Sequence, residues 1–95
     1  MDEERIVQRV AQAVVAAKLS RRHMELLDAV YRHQDIPWIA KLMDTSASGV
    51  SRMLAVLERN GLASRYGSEA HLTAEGTKLL FELRRSGKLD FLDDG

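Results

Sequence analysis

The chain has 95 residues, with 14 Lys plus Arg against 14 Asp plus Glu, one proline and no cysteine. Its net charge of zero argues against a nucleic-acid binder, whose surface is normally basic, and its length allows one domain. The absence of cysteine excludes disulfides, thiolate catalysis and cysteine-type zinc sites. No stretch approaches the roughly 20 apolar residues that span a bilayer, and the acidic start is unlike a secretion signal, so we expect a soluble, cytoplasmic protein with no membrane partner.

Residues 1–19 are predicted to form an N-terminal dimerisation helix. Their apolar positions recur with helical period and cover an arc wider than one neighbour in a small domain would bury. A central core helix would explain that arc, but a helix that also packs against a second subunit explains it better, because an uncovered apolar face is a liability. The interface residues expected here are Ile6, Val7, Val10 and Val14.

Two helices follow. Ser20 is an N-cap candidate for a helix over residues 21–33, in which apolar side chains recur at helical spacing. Asp35 is a cap candidate for a short helix that ends near Met43, with Pro37 in the first turn, where its missing N–H costs nothing.

A break at residues 44–46 separates this helix from the next one. Ser46 can cap a helix over residues 47–59, and the Asn60-Gly61 pair stops it, because both residues tolerate the left-handed conformation of a C-terminal cap.

The remainder predicts a small β-hairpin and a last helix. Residues 62–66 and 70–72 are two short strands around a three-residue tip, Gly67-Ser68-Glu69. Thr73 then caps a helix over residues 74–86. The acidic tail, residues 87–95, is either disordered or docks on a partner subunit through Leu89, Phe91 and Leu92, and the two alternatives stay open.

This order of elements is typical of a winged helix-turn-helix domain. The stretch from Trp38 to Arg52, continued by Leu54, Leu57, Glu58 and residues 60–62, closely resembles the MarR family of transcriptional regulators. Residues 71–76, His-Leu-Thr-Ala-Glu-Gly, are similar to that family's entry to its final helix. The ArsR family shares the helix-turn-helix, but residues 72–76 favour MarR. The resemblance covers residues 20–86 as the DNA-binding domain. It implies a mainly α fold, in the order α-α-α-α-β-β-α, with a short two-stranded wing and dimerisation through the terminal helices.

The resemblance implies that helix 47–59 is the recognition helix, which such domains insert into the major groove. Its first turns carry short side chains that permit close approach, helix N–H groups that suit a phosphate, and one long donor, Arg52, for a guanine edge or a phosphate. The DNA contacts expected there are Ser46, Ala47, Ser48, Gly49, Ser51 and Arg52. Capping alone would explain Ser46, and a surface ion pair with Glu58 or Asp44 would explain Arg52.

Other cations are weaker candidates for DNA contact. Arg21, Arg22 and Arg65 could touch the DNA backbone, although each is more simply explained as a solvated surface charge.

Three positions depart from the MarR pattern. The wing tip is short and carries Glu69, which would repel phosphate, so specificity should rest on the recognition helix. Asp44 stands where the family often has glycine, and Trp38 where it usually has an exposed polar residue. Trp38 either packs on the preceding helix or marks a contact with DNA or a partner.

Chemistry beyond DNA binding has little support in the sequence. His23, His33 and His71 show no i, i+4 spacing, so no metal site is predicted, and nothing indicates a cofactor or an enzyme. The resemblance is compatible with a small-molecule inducer but fixes no pocket residue.

We therefore expect a homodimeric transcriptional regulator that binds a near-palindromic operator in double-stranded DNA. Regulators of this kind most often repress, so a repressor is expected. Leu83, Phe91 and Leu92 should complete the dimer interface. The alternative is a winged-helix module for protein–protein interaction, or an architectural or partition protein. The neutral charge is compatible with DNA binding because six acidic residues lie at the chain ends, leaving residues 5–89 with 14 cations and 8 anions, a net charge of +6.

Overall fold

The computed structural model describes residues 19–93. They form the helices α1 (Arg21–Arg32), α2 (Ile36–Leu42), α3 (Ala47–Arg59) and α4 (Ala74–Arg85), the strands β1 (Ala63–Tyr66) and β2 (Glu69–Leu72) before α4, and a final 3₁₀ turn (Asp90–Asp93). This confirms the prediction of a mainly α winged helix-turn-helix with a short two-stranded wing. The predicted helix over residues 1–19 lies outside the described residues except for Leu19, as do its interface positions Ile6, Val7, Val10 and Val14.

Each of the helices α1 to α4 begins at a side-chain oxygen that accepts a hydrogen bond from a backbone N–H three residues later. This satisfies one of the N–H groups that a helix N-terminus leaves unpaired. All four caps were predicted from sequence and are confirmed: Ser20, Asp35, Ser46 and Thr73.

Helices α2, α3 and α4 all end in the same backbone motif. In each, the residue after the C-cap has a positive φ: 53° at Asp44, 71° at Gly61 and 79° at Gly87. The two N–H groups that follow each cap bond back to carbonyls of the last turn, the Schellman arrangement. Asp44 is the one non-glycine residue among 19–93 that adopts this conformation.

One apolar core holds the helices together. Leu26 and Leu27 of α1 are fully buried and pack among residues from α2, α3 and α4. Ile39 of α2 and Val50 of α3 are both fully buried. Ala40, 4% exposed, lies in α2, which packs against α3, where a small side chain lets two helices approach.

The wing is tighter than predicted. Tyr66 pairs with Glu69, so the loop has two residues and not three, and Glu69 belongs to β2 and not to the tip. Gly67 has a φ of 62° at the first loop position, where a type II′ turn requires glycine. The chain between α1 and α2 pairs with β2: the Ile36 N–H donates to the Ser68 carbonyl and the Ala70 N–H to the Gln34 carbonyl. The edge of β2 that does not pair with β1 is therefore hydrogen-bonded to the helical body.

The tail, as far as Asp93, folds onto its own chain. Leu89 is 5% exposed in the core, while Phe91 and Leu92 are half-buried against it, and the Arg21 guanidinium lies 5.2 Å from the centre of the Phe91 ring. The tail is thus packed on its own chain, and its docking on a partner subunit through Phe91 and Leu92 stays a prediction. Leu83, predicted at a dimer interface, is 2% exposed and belongs to the chain's own core. Among the predicted interface residues that the structure describes, Phe91 and Leu92 therefore remain as the two with surface that a partner could contact.

Candidate nucleic-acid interface

The face of α3 that points away from the core is the centre of the candidate site. Val50, Leu54 and Leu57 face inward and are fully buried. At 100° per residue, the opposite side of the helix forms a stripe within an arc of about 60°. We call it the outer stripe, and all its members are exposed: Ser48, Arg52, Ala55 and Arg59.

The N-terminus of α3 is fixed by hydroxyl groups. Ser46 Oγ accepts from the Gly49 N–H at 3.0 Å and lies 3.0 Å from Ser48 Oγ. A Cβ on Gly49 would lie 2.5 Å from Thr45 Oγ1, so glycine leaves room for the preceding turn. Ser46 is thus a helix cap, a role that is compatible with the predicted DNA contact, and glycine at position 49 is explained by packing. Ala47 is exposed at the start of the helix.

Ser51 and Arg65, both predicted DNA contacts, are bonded to each other. Arg65 Nη1 donates to Ser51 Oγ at 2.9 Å, and its Nε donates to the Gly67 carbonyl at 2.9 Å. One side chain therefore connects the wing loop to α3 and fixes the distance between them.

Arg21 and Arg22 have structural partners. Arg22 Nη2 donates to the carbonyl of Met43, the C-cap of α2, at 2.6 Å, and its Nη1 pairs with Glu25 at 2.9 Å. Arg22 thereby holds the turn that precedes α3, while Arg21 stacks on Phe91.

Arg52 and Arg59 differ from the other arginines. Among residues 19–93 they are the two arginines that make no hydrogen bond, ion pair or aromatic contact; the others are Arg21, Arg22, Arg32, Arg65, Arg84 and Arg85. The ion pair of Arg52 with Glu58 or Asp44, considered from the sequence, does not form. Arg59 was missed in the sequence, although its spacing of seven residues from Arg52 places both on one helix face.

The wing carries an exposed aromatic residue that the sequence analysis also missed. Tyr66, 66% exposed, ends β1 and packs edge-to-face on His71, with the ring centres 5.8 Å apart. His71 Nε2 lies 3.7 Å from a Glu69 carboxylate oxygen.

Trp38 packs on the end of the preceding helix, as one alternative held, but keeps half its surface exposed. Its ring meets His33 edge-to-face with the centres 6.4 Å apart. Trp38 is 48% exposed and Leu42, one turn later, is 51% exposed. Together they form an apolar patch on α2.

A pocket of about 200 Å³ lies between α1, α4 and the tail, and is lined in part by Asp28, Arg32 and Arg84. The carboxylate of Asp28, 8% exposed, binds both guanidinium groups. Both cations of this pocket are therefore already paired, and they share one carboxylate.

Two further properties of the described residues bear on chemistry. Burial lowers the pKa of His23, and no group of three or more histidines, aspartates or glutamates between residues 19 and 93 could hold a metal ion. No helix in that range has the length and apolar character needed to cross a membrane.

Comparison with known proteins supports the architecture. No protein-family model and no curated protein matches the sequence. Full-length CbnR, in a crystal structure of its complex with target DNA, superposes with a TM-score of 0.62 at 24% identity, covering 80% of this chain and 27% of CbnR. The multiple antibiotic-resistance repressor MarR from Listeria monocytogenes superposes with a TM-score of 0.64 at 14% identity, covering 99% of this chain and 74% of that one. The chain thus spans about a quarter of CbnR and about three quarters of this MarR, and its fold is that of the winged-helix transcription regulators.

Proposed function

We propose that the protein is a sequence-specific regulator of transcription that binds double-stranded DNA as a homodimer, with α3 in the major groove. The observation that carries this proposal is the outer stripe, in which Arg52 and Arg59 lack partners within residues 19–93 while the other described arginines are engaged. Two exposed guanidinium groups on one helix face suit an anionic, groove-shaped ligand.

The shape of α3 supports the same conclusion. Ser48 and Ala55 are the short members of the outer stripe, so the helix backbone can approach the floor of a groove about 12 Å wide. The exposed N-terminus at Ala47 offers N–H groups and a partial positive charge to a phosphate.

The candidate residues then have different roles. Arg52 and the N-terminal turn contact DNA, while Ser46 and Gly49 shape that turn. Arg65 and Ser51 set the position of the wing relative to α3, and Arg22 holds the turn before it. The wing presents Tyr66 beside the acidic Glu69, which supports contact at the edge of the duplex rather than insertion.

The dimer part of the proposal rests on the two chain ends. The apolar pattern of Ile6, Val7, Val10 and Val14 needs a cover, and Phe91 with Leu92 is only partly buried beside the start of α1. Two copies would bind half-sites about 10 bp apart in a near-palindrome, and occupancy of a promoter would repress it.

Fluorescence anisotropy on DNA from upstream of the protein's own gene tests the proposal. Arg52→Ala should weaken specific binding by about tenfold or more, because a bidentate guanine contact provides about 1–3 kcal/mol of discrimination. Arg85→Ala is the matched control, since Arg85 is an exposed arginine on α4 that pairs with Glu82. Log affinity should fall linearly with log salt concentration. Binding that is flat with salt, or equal loss in both variants, would contradict the proposal.

A second candidate function is protein binding through the apolar patch of Trp38 and Leu42. In that case Trp38→Ala would abolish association with a protein partner, and the DNA titration would give no salt-dependent binding. An architectural or partition role would instead appear as cooperative spreading on long DNA.

A further inference from the structure

We infer that the outer stripe recognises a guanine and a thymine that are neighbours or are separated by one base pair. Arg52 contacts the guanine edge, and the methyl group of Ala55 contacts the C5 methyl of the thymine. This inference rests on the proposed function and assigns the bases that α3 distinguishes. Its starting point is the composition of the stripe: a hydroxyl, a guanidinium, a methyl and a second guanidinium, in that order along the helix.

The residues of α3 beside the outer stripe have other roles, so the stripe is the surface of α3 that is free to contact bases. Ser46 is occupied as the cap, Ser51 accepts from Arg65, and Gly49 has no side chain. Met53 and Val56 are partly buried against the core.

Ala55 is an unusual residue for the middle of this surface. Its side chain is exposed between two arginines, four residues before Arg59 and three after Arg52. A methyl group cannot hydrogen-bond to a base edge, and the one apolar feature of the major-groove floor is the thymine methyl. Arginine, in contrast, bonds to O6 and N7 of guanine more often than to other base edges.

The spacing sets how far apart the two bases lie. Three residues of α-helix advance about 4.5 Å, and successive base pairs are about 3.4 Å apart. The guanine and the thymine are therefore neighbours or are separated by one base pair.

Arg59 has a different role in the same stripe. It lies in the last turn of α3, four residues beyond Ala55 and farthest from the N-terminal end that a recognition helix directs at base edges. Its guanidinium therefore meets a phosphate at the wall of the groove and contributes affinity without sequence preference.

The test uses the full chain and a binding site selected from random DNA. Each thymine of the selected site is replaced in turn by uracil, which removes the methyl group and keeps the base pairing. The wild type should lose about fourfold in affinity at one thymine, the effect of one buried methyl group. Ala55→Gly and Ala55→Ser should bind the thymine and uracil sites equally. Ala74→Ser, at an exposed alanine in α4, should retain the wild-type preference.

The arginine variants complete the test. Arg52→Ala should lose its preference at one guanine within two base pairs of that thymine, whereas Arg59→Ala should weaken binding to all sequences alike and reduce the salt slope by about one. If no thymine responds to uracil, or if Ala55→Ser keeps the thymine preference, the inference is wrong while the DNA-binding proposal stands. If no sequence is selected from the random pool, the DNA-binding proposal itself fails.

Discussion

The two ends of α3 are held in different ways. At the N-terminus, a serine hydroxyl caps the helix after a turn that contains Asp44 at a φ of 53°. At the C-terminus, Gly61 makes the turn, the Thr73 N–H donates to the Leu62 carbonyl at 3.0 Å, and Gly76 packs directly on that carbonyl. At Gly49, near the N-terminus, the nearest neighbour is a side-chain hydroxyl that can rotate, whereas at Gly76, at the C-terminal junction, it is a backbone carbonyl that cannot. We therefore expect substitutions at the C-terminal junction to cost more stability.

The largest effect should come from Gly76→Ala. The new Cβ would lie 1.9 Å from the Leu62 carbonyl oxygen and 2.9 Å from its carbon, so β1 or α4 must move. We expect a loss of about 3 kcal/mol in the free energy of unfolding and of about 15 °C in Tm, measured by thermal and urea denaturation.

Gly49→Ala is the matched control at the other end. Its Cβ would meet the hydroxyl of Thr45, a side-chain atom that can rotate away, and alanine favours a helix interior. Its cost should be under about 1 kcal/mol. Equal costs at Gly49 and Gly76 would break the comparison.

Thr73→Val should have the next largest effect. Thr73 Oγ1 accepts from the Gly76 N–H at 3.0 Å and donates to the Gly61 carbonyl at 2.6 Å, so one hydroxyl joins the end of α3 to the start of α4. Its removal should cost about 2 kcal/mol in urea denaturation. Thr73→Ser, which keeps both bonds, should stay close to the wild type. A serine variant as unstable as the valine variant would show that the methyl group and not the hydroxyl matters.

Ser46→Ala should cost less, about 1 kcal/mol, because one capping bond is lost at an exposed helix end. Ser46→Asn, which can cap in the same way, should restore most of the stability. The comparison predicts that alanine at position 46 is milder than valine at position 73, and the reverse order in urea denaturation would contradict it.

The smallest effect is a gain. Asp44→Gly relieves a left-handed conformation in an L-residue and should stabilise the fold by up to about 1 kcal/mol. Gly61→Ala places a side chain in the equivalent left-handed conformation after α3 and should destabilise by a similar amount. If thermal unfolding shows Asp44→Gly to be destabilising, the aspartate side chain makes a contribution to the turn that its backbone conformation does not explain.

Local signals in the sequence predicted much of the fold. The caps Ser20, Asp35, Ser46 and Thr73 and the stop at Asn60-Gly61 are set by neighbouring residues, and each lies where it was expected. The predicted wing loop was one residue too long, because Glu69 pairs with Tyr66 as the first residue of β2. The bond from the Ala70 N–H to the Gln34 carbonyl joins residues far apart in the chain, and no local pattern in the sequence indicates it.

The candidate site was harder to predict because engagement of a side chain is a three-dimensional property. The sequence predicted Arg65 and Ser51 as separate DNA contacts. Nothing in it indicates that they are hydrogen-bonded to each other, because they lie 14 positions apart, one in the wing and one in α3. Arg22 likewise reaches Met43, 21 positions away. Arg59 and Ala55, in contrast, share a helix face with Arg52, and helical spacing alone would have identified them.

The stacking of Arg21 on Phe91 has a practical consequence for protein engineering. This contact joins the first turn of α1 to the final 3₁₀ turn, so the first and last elements of the described residues 19–93 lie side by side. Domains with adjacent ends tolerate circular permutation and insertion into a host loop. A permuted domain cut from residues 19–93, with a short linker from residue 93 to residue 19 and new termini in the Gly67–Ser68 loop, would therefore keep the helical body intact while removing the covalent link between the wing strands.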